Sequence, residues 1–256
     1  MTAPPAPTPD APRITVVAPM KNEAENVGPL ADAIAEACAS LAPFEAVFVD
    51  DGSTDGTAQA IAEARARHPW LRGVRHAAAC GQSAAVRSGV LAARAPIICT
   101  LDGDGQNPPA EIPRLVAPLL DDPDPGLGLV AGQRVARQDT LSKRLASKAA
   151  NALRRMLLND DTRDTGCGLK AFPREVFLAL PFFDHVHRYL PALIKREGLG
   201  VALVDVSHRA REAGASNYTN LGRALVGALD LIGVWWLIRR RKLPAPVPAP
   251  ELDDAR

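Results

Sequence analysis

The sequence lacks the two loops that most often bind nucleotides through phosphate. No GxGxxG follows its first apolar run, which disfavours a dinucleotide fold, and no GxxxxGK[ST] occurs, which excludes a P-loop. Its four cysteines, Cys38, Cys80, Cys99 and Cys167, form no CxxC pair and no Cys/His metal spacing. No signal peptide opens the chain, so reduced thiols in a cytoplasmic protein are expected. The charge is nearly balanced, at +1 net, so no global field favours nucleic acid, and an anionic partner must be met by local clusters. No internal repeat is visible. What remains is a chain of 256 residues, 47% hydrophobic and 23% charged, which suits a packed globular core. Residues 1–13 are mostly Ala, Pro and Thr, and residues 243–256 are Pro/Ala-rich and then acidic; both are expected to be disordered.

The apolar pattern places strands and helices in alternation. Ile14–Ala18, Glu45–Val49, Leu71–Arg75 and Pro96–Leu101 read as strands, and 26–41, 57–68 and 81–93 as the helices between them. Strand, helix, strand in repetition predicts a parallel, doubly wound α/β sheet, whose ligands sit beyond the carboxyl ends of the strands. Three polar loops fall there: Pro19–Glu23, Asp50–Gly56 and Asp102–Gln106. Such a concentration of acids at one sheet edge calls for a metal or sugar hydroxyls to take up the charge.

Asp102, Asp104 and Gln106 stand two positions apart. In an extended chain they point to one side and offer hard oxygen donors suited to Mg²⁺ or Mn²⁺. A divalent ion there suits a diphosphate leaving group. The same Asp-Gly-Asp-Gly also suits a plain turn. Asp50-Asp51-Gly52-Ser53 equally suits an Asx-turn leading to a helix cap at Ser53, Thr54 or Asp55, and Asn22 and Glu23 suit caps of the first helix.

Pro19-Met20-Lys21-Asn22-Glu23, Val49-Asp50-Asp51-Gly52-Ser53-Thr54-Asp55 and Asp102-Gly103-Asp104-Gly105-Gln106-Asn107-Pro108-Pro109 together resemble the family 2 inverting glycosyltransferases of GT-A fold. The branch of dolichol-phosphate mannose synthase and bacterial polyprenyl-phosphate glycosyltransferases is the nearer likeness, from about Ile14 to Lys242. The resemblance implies a nucleotide-diphosphate sugar as donor, a polyprenyl phosphate as acceptor, and Mg²⁺ or Mn²⁺ held by Asp102, Asp104 and Gln106. It implies nucleoside contacts from Pro19, Lys21, Glu23, Asp50, Asp51 and Gly103. Lys21 replaces an uncharged residue usual in the family, and Gly103 stands where Ala is common, a change expected to be harmless.

In the second half, Leu127–Ala131 reads as a strand followed by Arg134, and about 140–158 as a helix. Arg144, Lys148, Asn151 and Arg155 make one stripe of that helix, while Leu141, Leu145, Ala152 and Met156 can face the core. The resemblance assigns Arg134, Lys143 and Arg144 to the acceptor phosphate, a task that guanidinium forks suit. Asp164 is expected near the reacting centre, with Cys167 in the place of the family's Ser. His185-Val186-His187 is expected to be structural, with His187 and Arg188 as interdomain or lid contacts. Val201–Val206 reads as a late strand, and Arg211, Gly214 and Ser216 match a family loop that folds over the donor diphosphate, with Asn217 where Lys is usual. Asp104, Asp164 and Arg211 are thus the expected catalytic residues.

Leu221–Ile238 is eighteen residues, about 27 Å as a helix at ~1.5 Å per residue, against a bilayer core of ~30 Å. Asp230 at its centre costs ~2.5–3.5 kcal/mol, and nine Leu, Ile and Val residues return ~0.3–0.6 kcal/mol each, so spanning is marginal. Arg223, Gly227 and Asp230 share a narrow face, with Leu225, Leu229, Ile232 and Trp236 opposite. With Trp235 and the basic run Arg239–Lys242, this predicts an amphipathic helix over 219–242 that lies on a membrane surface. A core or dimer helix is the alternative. The expected protein is therefore a GT-A domain over 14–218, peripheral on the inner face of the cell membrane, with a homo-oligomer allowed for. Transfer to a hydroxyl acceptor, with Asp164 as base, and a non-catalytic nucleotide-sugar-binding subunit are the competing readings.

Overall fold

The computed structural model describes residues 11–121, 124–134, 154, 156–160, 162–207 and 220–242. The expectations for Lys143, Arg144, Lys148, Asn151, Arg155, Arg211, Gly214, Ser216 and Asn217, and for most of the arm and tail, lie outside these residues. Residues 11–13, assigned to the arm, belong to the folded part: the Arg13 N–H donates to Pro43 O at 2.8 Å.

Seven strands form one sheet: β1 (Ile14–Met20), β2 (Phe44–Asp50), β3 (Leu71–Arg75), β4 (Ile97–Thr100), β5 (Leu127–Arg134), β6 (Lys170–Pro173) and β7 (Gly200–Val206). Their spatial order is β3-β2-β1-β4-β6-β5-β7. All neighbours are parallel except β6, which runs antiparallel to both β4 and β5. Among the described residues, helices α1 (Ala24–Ala37), α2 (Thr57–Arg67), α3 (Gln82–Ala92), α4 (Ile112–Leu120), α5 (Arg174–Ala179), α6 (Leu190–Arg196) and α7 (Asn220–Arg240) flank the sheet.

The alternating side-chain directions of β1 show why the sheet is covered on both faces. Ile14, Val16, Ala18 and Met20 pack into one core with Val27, Leu30 and Ile34 of α1 and Ile112, Leu115 and Val116 of α4. Val17 points the other way, towards Val86 and Val90 of α3 and the α5–α6 region. Met20 pairs with Asp50 and Val17 with Thr100, so β1, β2 and β4 end near one edge.

Several local expectations are corrected. Asn22 and Glu23 make no side-chain cap on α1. Asn22 sits in the left-handed region (φ 55°), where its Oδ1 accepts from the Thr54 N–H, and the Ala24 N–H is taken by Asp55 Oδ2 from the neighbouring loop. Met156 is 74% exposed, not in the core. Leu158 is the core residue of that segment, and Arg154 is also buried, paired with Asp160 at 3.1 Å.

The two faces of α7 part as the sequence divides them. Asp230 faces the domain and pairs with His185 Nδ1 at 2.9 Å, and Tyr189 Oη donates to Gly227 O. Val234 is buried, while Leu229, Ile232 and Trp236 are exposed. Asp230 finds its partner in the protein, Leu231, Val234, Trp235 and Ile238 pack against the domain, and Leu229, Ile232 and Trp236 make an outward apolar stripe. Among the described residues no helix is long and apolar enough to cross a membrane.

Candidate functional site

The loops after β1, β2 and β4, with the segment before β6, build the site. Asp50 and Asp51 divide the work at the end of β2. Asp50 Oδ1 accepts from the Ser53 N–H, the expected Asx-turn, and its Oδ2 lies 3.2 Å from Arg75 Nε. Asp51 is turned inwards. Its Oδ1 accepts from the Cys80 N–H and lies 2.7 Å from His76 Nδ1, and its Oδ2 accepts from the Gly81 N–H. Burial raises the Asp51 pKa, but these bonds outweigh burial and hold it below the usual carboxylate range. Lys21 does not reach outwards: its ammonium donates to Asp51 O and Gly52 O and braces this loop. Glu23 Oε2 accepts from the Asn26 amide at 2.5 Å.

The Asp102, Asp104 and Gln106 set is not arranged by strand alternation. β4 ends at Thr100, and 103–105 form a turn with Gly105 at φ 72°. Asp102 and Asp104 are therefore brought near one another by the turn, close enough that Asp102 feels the Asp104 charge. Burial and then the Asp104 charge push the Asp102 carboxyl up. Asp102 Oδ1 accepts from Gln82 Nε2 at 2.8 Å and Oδ2 from Asn107 Nδ2 at 2.9 Å. Asp104 Oδ1 accepts from the Gln106 N–H. At Gly103 a Cβ would lie 2.7 Å from Pro19 O, so the Ala common in the family would not be harmless in this backbone.

The segment before β6 closes the corner from below. A Cβ on Gly168 would lie 2.4 Å from the Asp102 carboxyl, so only glycine lets that backbone pass. Lys170, the first residue of β6, is buried and donates to Cys167 O. Burial lowers its pKa, against the opposing pull of the Cys167, Asp102 and Asp164 charges. Asp164 and Arg134 meet in a fork, Nε to Oδ2 at 2.5 Å and Nη2 to Oδ1 at 2.9 Å, and the Asp102 charge reaches Arg134 too. Asp102 of the predicted metal set and Arg134 of the predicted acceptor set thus share one electrostatic cluster.

Three contributors were not legible in the sequence. Gln82, Lys170 and His187 line a small cavity with Pro19 and Asp102. His187 Nδ1 lies 2.7 Å from Ser83 Oγ. Burial first, then nearby cationic charge, takes its pKa well below the usual imidazole value, so the ring is neutral. The expected lid contact is instead a wall of the site. His185, two residues away, turns to α7, and no chelating pair forms. Cys167 is buried, and burial pushes its thiol up, which makes it a poor nucleophile.

The donor set of this corner fits a hard divalent ion. Asp102 and Asp104 are hard oxygen donors at a shared charge, and Asn107 Oδ1, on the side chain that holds Asp102, is buried without a partner.

Comparison with known proteins agrees with this geometry. The pattern of glycosyl transferase family 2 matches residues 15–180. The undecaprenyl-phosphate 4-deoxy-4-formamido-L-arabinose transferase of Pectobacterium carotovorum is 34% identical over 83% of this chain and 64% of its own. The dodecaprenyl-phosphate galacturonate synthase of Rhizobium johnstonii is 33% identical over 90% of this chain and 69% of its own. The chain thus spans about two thirds of the length of these curated relatives. In fold it is similar to glucosyl-3-phosphoglycerate synthase from Mycobacterium tuberculosis, solved with Mn²⁺, uridine diphosphate and glucosyl-3-phosphoglycerate, with TM-score 0.65 and 22% identity over 93% of this chain and 86% of that one. The sheet order with one antiparallel strand is that of the GT-A fold, and the chain belongs to glycosyl transferase family 2.

Proposed function

We propose that this protein transfers one sugar, with inversion, from a nucleotide-diphosphate sugar to a polyprenyl phosphate, using Mg²⁺ or Mn²⁺. The observation that carries the reading is the meeting of Asp102, Asp104, Arg134 and Lys170 in one electrostatic cluster beside the Asp51 cradle. The two relatives' names, each a polyprenyl-phosphate sugar transferase, support the acceptor class.

Asp51, fixed by two backbone N–H groups and His76, accepts donor hydrogen bonds from the nucleoside. Pro19, Lys21, Glu23, Asp50 and Gly103 shape and brace that cradle. Asp102 and Asp104, with Gln106, hold the ion, which when bound supplies positive charge to the departing diphosphate. Neutral His187 and Gln82 wall the space beside Asp102 where the transferred sugar fits. Arg134, held in plane by Asp164, presents its remaining N–H donors to the acceptor phosphate, with Lys143 and Arg144 as further cations; Arg211, Ser216 and Asn217 close over the diphosphate. A phosphate acceptor is already an anion at neutral pH, so no strong general base is required, and positioning and charge stabilisation carry the rate. The Arg134 fork engages both Asp164 oxygens, which argues against Asp164 as the base of a hydroxyl-acceptor reaction.

The outward Leu229/Ile232/Trp236 stripe beside the basic end of α7 suits attachment to an anionic membrane surface, where the acceptor resides. Incubation with ion, radiolabelled nucleotide sugars and polyprenyl phosphate tests the function. Lipid-extractable label is expected; label found only in water-soluble glycan, or binding without transfer, refutes it.

A further inference from the structure

One cluster outside the Asp102/Asp104 corner mixes hard and soft ligands. His76 follows β3, Cys80 precedes α3, and Asp51 follows β2. One ligand atom from each lies within 4.8 Å of the other two. Asp51 and His76 are largely enclosed, at 7% and 15% side-chain exposure, whereas Cys80 is exposed at the opening. We propose that Asp51, His76 and Cys80 form a site for a thiophilic divalent cation of the Zn²⁺ class, separate from the Mg²⁺/Mn²⁺ corner.

The chemistry of the three groups fits one ion. At 2.7 Å, Asp51 Oδ1 and His76 Nδ1 share a proton, the position a cation takes over. Tetrahedral Zn²⁺ with Zn–O and Zn–N near 2.0–2.2 Å needs that edge to open by roughly 0.6 Å. His76 Nε2 lies 2.8 Å from Ser88 Oγ. With the ion on Nδ1, the ring proton resides on Nε2 and is donated to Ser88, the outer partner that orients a ligating histidine. The Cys80 and Gly81 N–H groups keep the carboxylate aimed. The carboxylate and the thiolate together cancel the ionic charge, and one proton, from the Cys80 thiol, is released per ion bound. A fourth position stays open to water. The thiolate selects against Mg²⁺ and Mn²⁺, which prefer oxygen donors. One consequence rests on the proposed function: because Asp51 also faces the nucleoside, this ion and the donor nucleotide exclude each other.

Co²⁺ as a spectroscopic stand-in for Zn²⁺ tests the site on the full chain, without reference to transfer activity. One equivalent of Co²⁺ is expected to give a near-ultraviolet thiolate charge-transfer band with visible d–d bands, both bleached by one equivalent of Zn²⁺. Cys80→Ser is expected to abolish the charge-transfer band, and His76→Gln to weaken binding about tenfold or more. Cys38, Cys99 and Cys167 are buried, so a chromogenic disulfide reagent reports on Cys80 in the folded protein. Zn²⁺ is expected to slow that reaction at least tenfold, and Mg²⁺ at the same concentration to leave it unchanged. A wild-type chain without the band, a band that survives in Cys80→Ser with its fold intact by circular dichroism, or unaltered thiol reactivity overturns the proposal.

Discussion

Gly168→Ala places one methyl group against the Asp102 carboxyl. The added carbon would lie 2.4 Å from Cγ and Oδ2 and 2.6 Å from Oδ1. Ordinary contact begins near 3.5 Å, so the carboxyl must withdraw by about 1 Å. It is pinned on both sides, by Gln82 at 2.8 Å and Asn107 at 2.9 Å, and withdrawal breaks at least one of these bonds. The stability cost is about 1–2 kcal/mol, or ~2–8 °C in Tm for a domain of this size. The functional cost is larger: a 1 Å misplacement of a charge-stabilising group lowers turnover about 100-fold, ~2.7 kcal/mol of barrier. Mn²⁺ affinity in the presence of nucleoside diphosphate, steady-state kcat/KM and Tm are measured together. Gly233→Ala, on α7 with nothing near its Cβ, is the control and leaves ion affinity unchanged. If Gly168→Ala keeps ion affinity and kcat/KM within about threefold of the parent, the close approach beneath Asp102 has no bearing on the site.

Four further outcomes are expected. Burial and the Asp104 charge raise the Asp102 carboxyl above its unfolded value, so its contribution to stability is full at low pH and is lost as pH rises through the folded pKa. Asp102→Asn therefore abolishes ion binding yet raises the Tm of the ion-free protein, more at pH 8 than at pH 4, by calorimetry. Glu45 is the opposite case. Burial raises its pKa, but bonds from Arg94 and Thr15 outweigh that and lower it, so its stabilisation is present above the ordinary carboxylate range and lost as pH falls through the folded pKa. Glu45→Gln is expected to cost about 1–3 kcal/mol at pH 7 by urea unfolding, with the difference narrowing in acid. Arg134→Lys removes the fork to Asp164 and is expected to lower kcat/KM for the phosphate acceptor about 10–100-fold while nucleotide affinity stays unchanged by calorimetry. Ile232→Ser with Trp236→Ser is expected to reduce sedimentation with anionic lipid vesicles while leaving Tm within about 2 °C, because both side chains are already exposed.

Much of the fold is written locally. The β-branched runs at 14–18, 45–49 and 96–101, and the helices between the first four strands, were legible because burial on both sheet faces demands continuous apolar strands, whereas the edge strand at 201–206 is largely uncovered and was legible from its Val and Leu content alone. The polar loops at their carboxyl ends carried the carboxylates of the site for the same reason: that edge is where a parallel sheet leaves backbone and charge open to a ligand. What the chain alone did not reveal depends on partners distant in sequence. β6 is four residues long, begins with a lysine and ends with a proline, and its place is decided by pairing with Thr100 and Ala131. That antiparallel insertion brings Gly168 and Lys170 beneath Asp102. Asp55, not Asn22, meets the first N–H of α1, because the two loops lie side by side. His187 and His185 part company because one meets Ser83 and the other Asp230. The orientation of α7 goes with that same His185–Asp230 contact and with the packing of Leu231, Val234, Trp235 and Ile238. The chain specifies which segments must be buried, since burial depends on each segment's own side chains, whereas which charges meet depends on how separate segments pack against one another.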